Sequence, residues 1–312
     1  MNEKQLPPFQ TAFLHPKYWG LWLGLGIFRL ILCLPYPILV HIGKALGKLF
    51  ARLKFGKRRM HIAKRNLQLC FPDYSEEKIA QLLTENTESV GMAIIETGMA
   101  WFWSDRRILK WSKVEGLEHL KHPDGTGIIL VGVHFLTLEL GARIFGLHSP
   151  GIGVYRPNDN PLLDWIQYRG RMRSNKGMLD RKDVRGMIKA LRTGETIWYA
   201  PDHDYGRRKS VFVPFFAVQQ ACTTTGSWIL LGSAPNAVVV PFSPIRHADY
   251  SGYTLKISPT VDFSHCKNEM ETAIQMNKVV EIEIMRAQSQ YMWLHRRFKT
   301  RPNEHDPSLY DV

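Results

Sequence analysis

Hydrophobic positions along the chain fall into three regimes. From Tyr18 to Val40 they are almost continuous (YWGLWLGLGIFRLILCLPYPILV), broken by Arg29 and by Pro35 and Pro37. Roughly 20 apolar residues at helical rise match the hydrocarbon thickness of a bilayer, so this run predicts a membrane-anchoring helix with Tyr18, Trp19 and Trp22 at one interface. It carries no small-residue cleavage motif and is too long for a signal peptide, which predicts an anchor that is retained. Arg29 near its centre is costly there unless it snorkels or finds a partner. A buried soluble helix is the alternative reading of the same run.

The second regime has helical period. Ile38, Ile42, Ala45, Leu46, Leu49 and Leu53 share one face of a helix, while Lys44, Lys48 and Arg52 share the other, a pattern suited to an anionic surface. In the third regime Ser75 is placed to cap a helix that opens on Glu76 and Glu77 and continues through Met92 to Trp103. Short apolar blocks then alternate with helical stretches. Strands are predicted over 128–133, 151–155, 196–200, 237–242 and 253–257, and helices over 137–145, 161–173, 183–192, 224–231 and 269–285. Such alternation predicts an α/β class with a mostly parallel sheet flanked by helices. The chain divides into residues 1–56, a membrane anchor with a basic amphipathic helix, and 57–312, a cytoplasmic catalytic domain.

Charge narrows the partners. The 312 residues carry 41 basic and 28 acidic side chains, a formal charge of +13, and no acidic residue lies between Glu3 and Asp73. Anionic partners are expected: nucleic acid, lipid headgroups or an acidic protein. No recognition helix or RNA-type aromatic motif accompanies the basic run, which excludes the first. Lys57, Arg58, Arg59, Lys64 and Arg65 extend the positive flank and predict a main body on the cytoplasmic side of an inner membrane. The four cysteines are scattered, with no CxxC and no zinc spacing, so neither a disulfide framework nor a metal or other cofactor is expected.

The chemistry concentrates in VHFLTLEL. His134 ends the apolar block 128–133 and Glu139 falls about one turn into the next helix. The carboxyl edge of a parallel sheet is where such folds present reactive groups, and a carboxylate on one imidazole nitrogen leaves the other free to take a proton. This assigns His134 as base and Glu139 as its orienter. The alternative is a satisfied strand-end histidine with a solvated glutamate. Three further strand ends join it: Arg156 in YRPNDNP, the triplet Asp202, His203 and Asp204 followed by Arg207, Arg208 and Lys209, and VVVPFSP, where Pro241 is expected to stop a strand. The triplet lacks a second ligand cluster, so Asp202 is read as positioning a cation or a loop rather than holding a metal. Arg171, Arg173 and Lys176 face anionic groups or form a solvated helix end. The run from Gln290 to Pro302 either grips phosphates or is a basic tail.

Several segments together, HPKYW, VHFLTLEL, GIGVYRPNDNP, RSNKGMLDRKD, YAPDHDYG and QYMWLHRRFKTRP, resemble the late acyltransferases of lipid A biosynthesis, nearest to the lauroyl or myristoyl transferases, across essentially the whole chain. More distantly the chain resembles glycerolipid acyltransferases, whose motif ends in aspartate where this chain has Glu139. The resemblance implies transfer of laurate or myristate from acyl carrier protein to the 3-hydroxyl of a hydroxyacyl chain on a Kdo-bearing lipid A precursor. It implies His134 and Glu139 as catalytic residues, Arg156, Arg171 and Asp202 as substrate-binding or positioning residues, and no covalent acyl-enzyme. Backbone N–H groups or Arg171 would face the oxyanion. The Met92–Trp103 helix is read as core packing or as the wall of an acyl tunnel. Palmitoleoyl transfer, thioester hydrolysis and non-catalytic membrane binding are the rival readings.

Overall fold

A computed structural model describes residues 6–310, so the outer ends of the two predicted regions, 1–5 and 311–312, lie outside the described residues. Four helices lead the fold: α1 (Trp19–Ile31), α2 (Tyr36–Arg52), α3 (Lys54–Cys70) and α4 (Glu76–Phe102), the last capped by Ser75, whose Oγ accepts from Lys78 N–H at 3.2 Å. A short α5 (Asp105–Lys110) leads to β1 (Ser112–Glu115) and β2 (Ile128–Gly132). Then come α6 (Leu138–His148), β3 (Ile152–Tyr155), α7 (Pro161–Met172), β4 (Gly177–Asp180), α8 (Val184–Arg192) and β5 (Thr196–Tyr199). The hairpin β6 (Ser210–Phe215) and β7 (Val218–Thr224), α9 (Gly226–Ser233), β8 (Val238–Arg246), β9 (Tyr253–Ile257) and α10 (Glu269–Arg286) complete the set.

The main sheet has seven strands in the order β1-β9-β8-β2-β5-β3-β4, parallel throughout except for β8 against β9. The predicted alternation is therefore borne out. Side chains of β2 divide by the strand period of two: Ile129 and Val131 face a core with α8 and α10, and Ile128 and Leu130 face one with α2, α4 and α6. Leaving β2, the chain runs outward to β3 and β4, returns to β5 beside β2, and crosses to β8 on the other side. That reversal opens a crevice at the carboxyl end of β2.

Two predictions about the backbone need correction. Pro241 does not stop a strand, because β8 continues through it to Arg246. Its carbonyl accepts from Ser258 N–H at 2.9 Å, beyond the end of the β9 ladder, and that of Pro244 accepts from Thr137 Oγ1 at 2.8 Å, where β2 has ended. A strand residue's N–H and C=O point the same way, so both missing donors face gaps in the ladder.

The predicted single membrane helix is also not formed. The apolar run breaks at Leu32–Pro35, leaving α1 with 13 residues, about 20 Å against the roughly 30 Å of a hydrocarbon core. No described helix is long and apolar enough to cross a membrane. The second half of the run is protein core: Tyr36, Leu39 and Val40 are buried with Met92, Ile95 and Trp103. The face of α2 that packs on α4 carries Gly43 and Gly47, where a Cβ would overlap Met92 and the Thr87 carbonyl, so the two backbones approach closely. Ile38, Leu49 and Leu53, expected to face a membrane, are exposed, but Lys44 and Lys48 pair with Glu88 of α4 at 3.2 and 3.7 Å. On α1, Trp19, Leu23, Ile27 and Leu30 form an exposed stripe, each more than half exposed.

A buried network locks these layers together. Arg246 donates to Glu96 at 2.5 Å and Ser89 at 2.6 Å, Tyr253 donates to Glu96 at 2.9 Å, and Tyr36 donates to Tyr253 at 3.1 Å, joining α2, α4, β8 and β9. Removing Glu96 would strand a buried guanidinium. Glu96→Ala is expected to lower stability by about 3 to 5 kcal/mol in urea titration, and a loss under 1 kcal/mol would show that the network does not hold the layers.

Candidate active site

β2 and β5 are parallel neighbours with Val131 opposite Tyr199. His134 lies three residues beyond Val131, and Asp202 lies three residues beyond Tyr199. Equal overhangs from paired strands bring the two side chains out at the same height. His134 Nδ1 is 2.7 Å from Asp202 Oδ1, and Asp202 Oδ2 accepts the His134 backbone N–H at 3.0 Å. The imidazole is 18% exposed and the carboxylate not at all. Burial alone would raise the Asp202 pKa, but the His134 ring and its two hydrogen bonds, with His203 beyond, pull it well below the usual carboxylate range. An ionised Asp202 only accepts, so Nδ1 carries a proton and Nε2 is the ring nitrogen left outside the pair.

The predicted orienter is thus replaced. Glu139, in the first turn of α6, is held by Arg171, whose Nε lies 3.1 and 3.2 Å from its two oxygens and whose Nη2 also donates to it. Trp101 Nε1 donates to the same carboxylate at 3.0 Å. The reason is directional: Glu139 points toward α4 and α7, while the strand beside His134 is β5. Of the other predicted site residues, Asp202 and Arg171 join this cluster. Arg156 is instead exposed and engaged by Asp159 at 2.8 and 3.0 Å.

The basic C-terminal run is not a tail but part of the fold. Leu136 N–H donates to Gln290 O at 2.8 Å and Met292 N–H donates to His134 O at 3.0 Å, clamping the histidine loop from both sides. Trp293 and Arg297 are buried, with Arg297 donating to Cys222 O at 2.6 Å, and Asp204 accepts from Thr300 N–H and Oγ1 at 2.8 and 2.9 Å. This run delivers a residue that sequence reasoning missed. His203 stacks on His134 with ring centroids 3.6 Å apart, and His295 stacks on His203 at 4.0 Å. The DHD triplet was the available signal for His203, whereas His295 carried none. His134, Asp202 and His203 place ligand-type atoms within 4.8 Å of one another. Parallel rings, however, aim their in-plane lone pairs side by side rather than at one point, and His134 Nδ1 is already taken, so the geometry suits stacking and not coordination.

Beside the histidine runs an apolar slot lined by Leu130, Leu138, Ala142, Phe145, Met178 and Phe242, with Glu139, Arg171 and Trp198 also in its wall. Trp198 stands edge-on to His134 at 6.1 Å. Its indole lies over Gly132, where a Cβ would overlap Nε1. The Met92–Trp103 helix does not line this slot: Met92, Ile95, Met99 and Trp103 are core, and only Trp101 reaches the site, through Glu139.

A histidine paired with a buried carboxylate, set beside an apolar slot at the edge of a parallel sheet, is the arrangement of an α/β enzyme site. Residues 6–300 match the family model described as bacterial lipid A biosynthesis acyltransferase, and the chain belongs to that family. It is 67% identical to the lipid A biosynthesis acyltransferase of Haemophilus influenzae, covering 100% of both chains. It is also 59% identical to the lipid A biosynthesis lauroyltransferase of Escherichia coli, over 98% of this chain and 99% of that one. The lipid A biosynthesis palmitoleoyltransferase of the same organism is 50% identical over 94% and 95%. The chain is therefore an acyltransferase of lipid A biosynthesis, which implies a lipid A precursor as acceptor.

The imidazole stack makes stability depend on pH. Burial, with His134 adjacent, pushes His203 down to about 2; burial, with Lys299 nearby, pushes His295 down to about 4; both start from 6.5. Below pH 6.5 the unfolded chain binds protons that the folded one refuses, so this stability is complete above 6.5 and is lost as pH falls toward 4, by up to about 1.4 kcal/mol per pH unit per histidine. A His203→Asn/His295→Gln double variant should lose stability less steeply over that window than the parent. Equal slopes in urea titrations at stepped pH would show that the rings are not held neutral.

Proposed function

We propose that the chain transfers a laurate or myristate group from an acyl carrier protein thioester to a hydroxyl of a hydroxyacyl chain on the Kdo-bearing lipid A precursor. The observation that carries this is the His134–Asp202 contact. His134 Nε2 takes the acceptor hydroxyl's proton as that oxygen attacks the thioester carbonyl carbon. The tetrahedral intermediate then collapses, the C–S bond breaks, and the thiolate leaves with the proton returned by the imidazolium. Asp202 stays ionised throughout and balances the transient cation. Neutral His203 against the ring adds no opposing charge. Glu139, with Arg171 and Trp101, positions the wall of the slot rather than the base. No nucleophilic side chain is needed.

The acyl chain lies in the apolar slot. At rest the slot holds only about 50 Å³ of free volume. A long chain therefore enters by displacing flexible side chains, of which Met178 is the most adaptable. The relatives' names range from lauroyl to palmitoleoyl, and a few residues of such a wall are enough to separate chain lengths.

The enzyme works at the cytoplasmic face of the inner membrane. The exposed stripe of α1 beds in the interface without crossing it, and the exposed Arg52, Lys54, Lys57 and Arg58 face anionic headgroups and the acidic carrier protein.

With purified protein, acyl carrier protein thioesters of graded length and lipid A precursor, mass spectrometry of the product tests the reading. His134→Ala should abolish transfer, and Asp202→Asn should lower kcat by about 10² to 10⁴ in protein that circular dichroism shows to be folded. Transfer retained in His134→Ala, or an unchanged kcat in Asp202→Asn, would overturn the mechanism. Ala142→Leu, which thickens the slot wall, should shift the product toward shorter chains, since one methylene is worth about 1 to 3 kcal/mol in such a pocket. An unchanged length distribution would place the acyl chain elsewhere.

A further inference from the structure

A second opening lies between α1 and α7. It is a cleft of about 560 Å³, within the roughly 300–1,000 Å³ common for small-molecule sites, and Trp22, Trp101 and Trp165 contribute its aromatic walls. Each indole is pinned by its N–H: Trp22 donates to Phe13 O at 2.9 Å, Trp165 to Pro7 O at 3.0 Å, and Trp101 to Glu139 at 3.0 Å. Around them stand Arg29, Arg169 and Arg173. Arg29 lies over Phe102 with its guanidinium 5.6 Å from the ring, Arg169 lies over Trp165 at 4.8 Å, and Arg173 donates to Trp101 O at 2.6 Å.

Among the described residues none of these three arginines has a carboxylate within ion-pair distance, whereas Arg143, Arg171, Arg246 and Arg286 each have one. Three guanidinium groups without a described carboxylate partner line one opening, which suits it to an anion. Arg29 is also the charge that made a membrane span costly. It lies instead on the cleft side of a helix whose other side is the exposed apolar stripe.

We infer that this cleft holds the anionic head of the lipid acceptor, its arginines meeting phosphate or carboxylate groups and its tryptophan faces covering the sugar. This rests on the acceptor assigned under the proposed function. Trp101 links the two sites: its ring walls the cleft, and its N–H holds Glu139, whose partner Arg171 follows Gly170 of the cleft wall.

Initial rates with lipid A precursor titrated at saturating thioester test the assignment. Arg29→Ala/Arg169→Ala should raise the acceptor KM by about tenfold or more, as expected for losing charge-assisted contacts, while the thioester KM stays within about twofold. Arg29→Lys/Arg169→Lys should recover most of the loss, and Lys121→Ala, an exposed basic residue away from the cleft, should change nothing. For the parent, precursor stripped of its phosphates should bind as weakly as intact precursor binds the alanine variant. An acceptor KM within about twofold of the parent, an equal rise for the thioester, or lysine variants as poor as alanine would each overturn the assignment.

Co-sedimentation with phosphatidylcholine vesicles carrying the precursor reads the cleft independently of turnover. Loss of binding in the alanine variant, with a parent that binds but does not transfer acyl groups, would sink the reaction and leave the cleft assigned. Equal loss on phosphatidylglycerol vesicles without precursor would assign the arginines to bulk anionic lipid and overturn the acceptor site.

Discussion

Asp202 is a carboxylate with no exposure to solvent, and the site depends on what keeps it charged. A buried carboxylate is tolerated only when donors surround it, and here both its oxygens are taken by one residue, through the ring and the backbone of His134. That double contact exists because β2 and β5 are parallel neighbours in a register that gives their loops equal reach. The C-terminal segment then clamps the histidine loop and brings His295 against His203, closing the back of the site with neutral imidazoles. Sheet register, buried charge and proton-accepting nitrogen form one chain of dependence.

Glu139 belongs to a different structure from the one its spacing suggested. Held by Arg171 of α7 and Trp101 of α4, it ties three helices together, with Glu139 and Arg171 in the wall of the apolar slot and Trp101 in that of the arginine-lined cleft. A carboxylate in the first turn of α6 is favoured by the helix dipole, which suits an anchor better than a group that must follow a moving proton.

The elements were largely legible in the sequence, because apolar blocks with period two and helical stretches with clear starts, such as Ser75, report local preferences. The short strands β1 and β4 and the hairpin β6–β7 were not, since their patterns are weak and pairing partners define them. Strand order was invisible for the same reason, which is why Asp202 was picked out as a site residue but not as the neighbour of His134. The Tyr18–Val40 run misled because apolar content does not distinguish lipid from protein core: Leu32–Pro35 turns the chain, and Tyr36, Leu39 and Val40 pack on α4. In the Gln290–Pro302 run, Trp293 and Arg297 look like surface residues until the backbone groups that receive them are known.

The account stands on the proton of His134. Nitrogen NMR of histidine-labelled protein at neutral pH reads it directly, with Asp202→Asn used to assign the resonance. The prediction is a neutral ring protonated at Nδ1 and bare at Nε2, whose Nδ1 proton lies far downfield and loses that shift in the variant. A His134 ring protonated at Nε2 with Nδ1 bare, or a signal indifferent to Asp202→Asn, would contradict the assignment of this pair as the base.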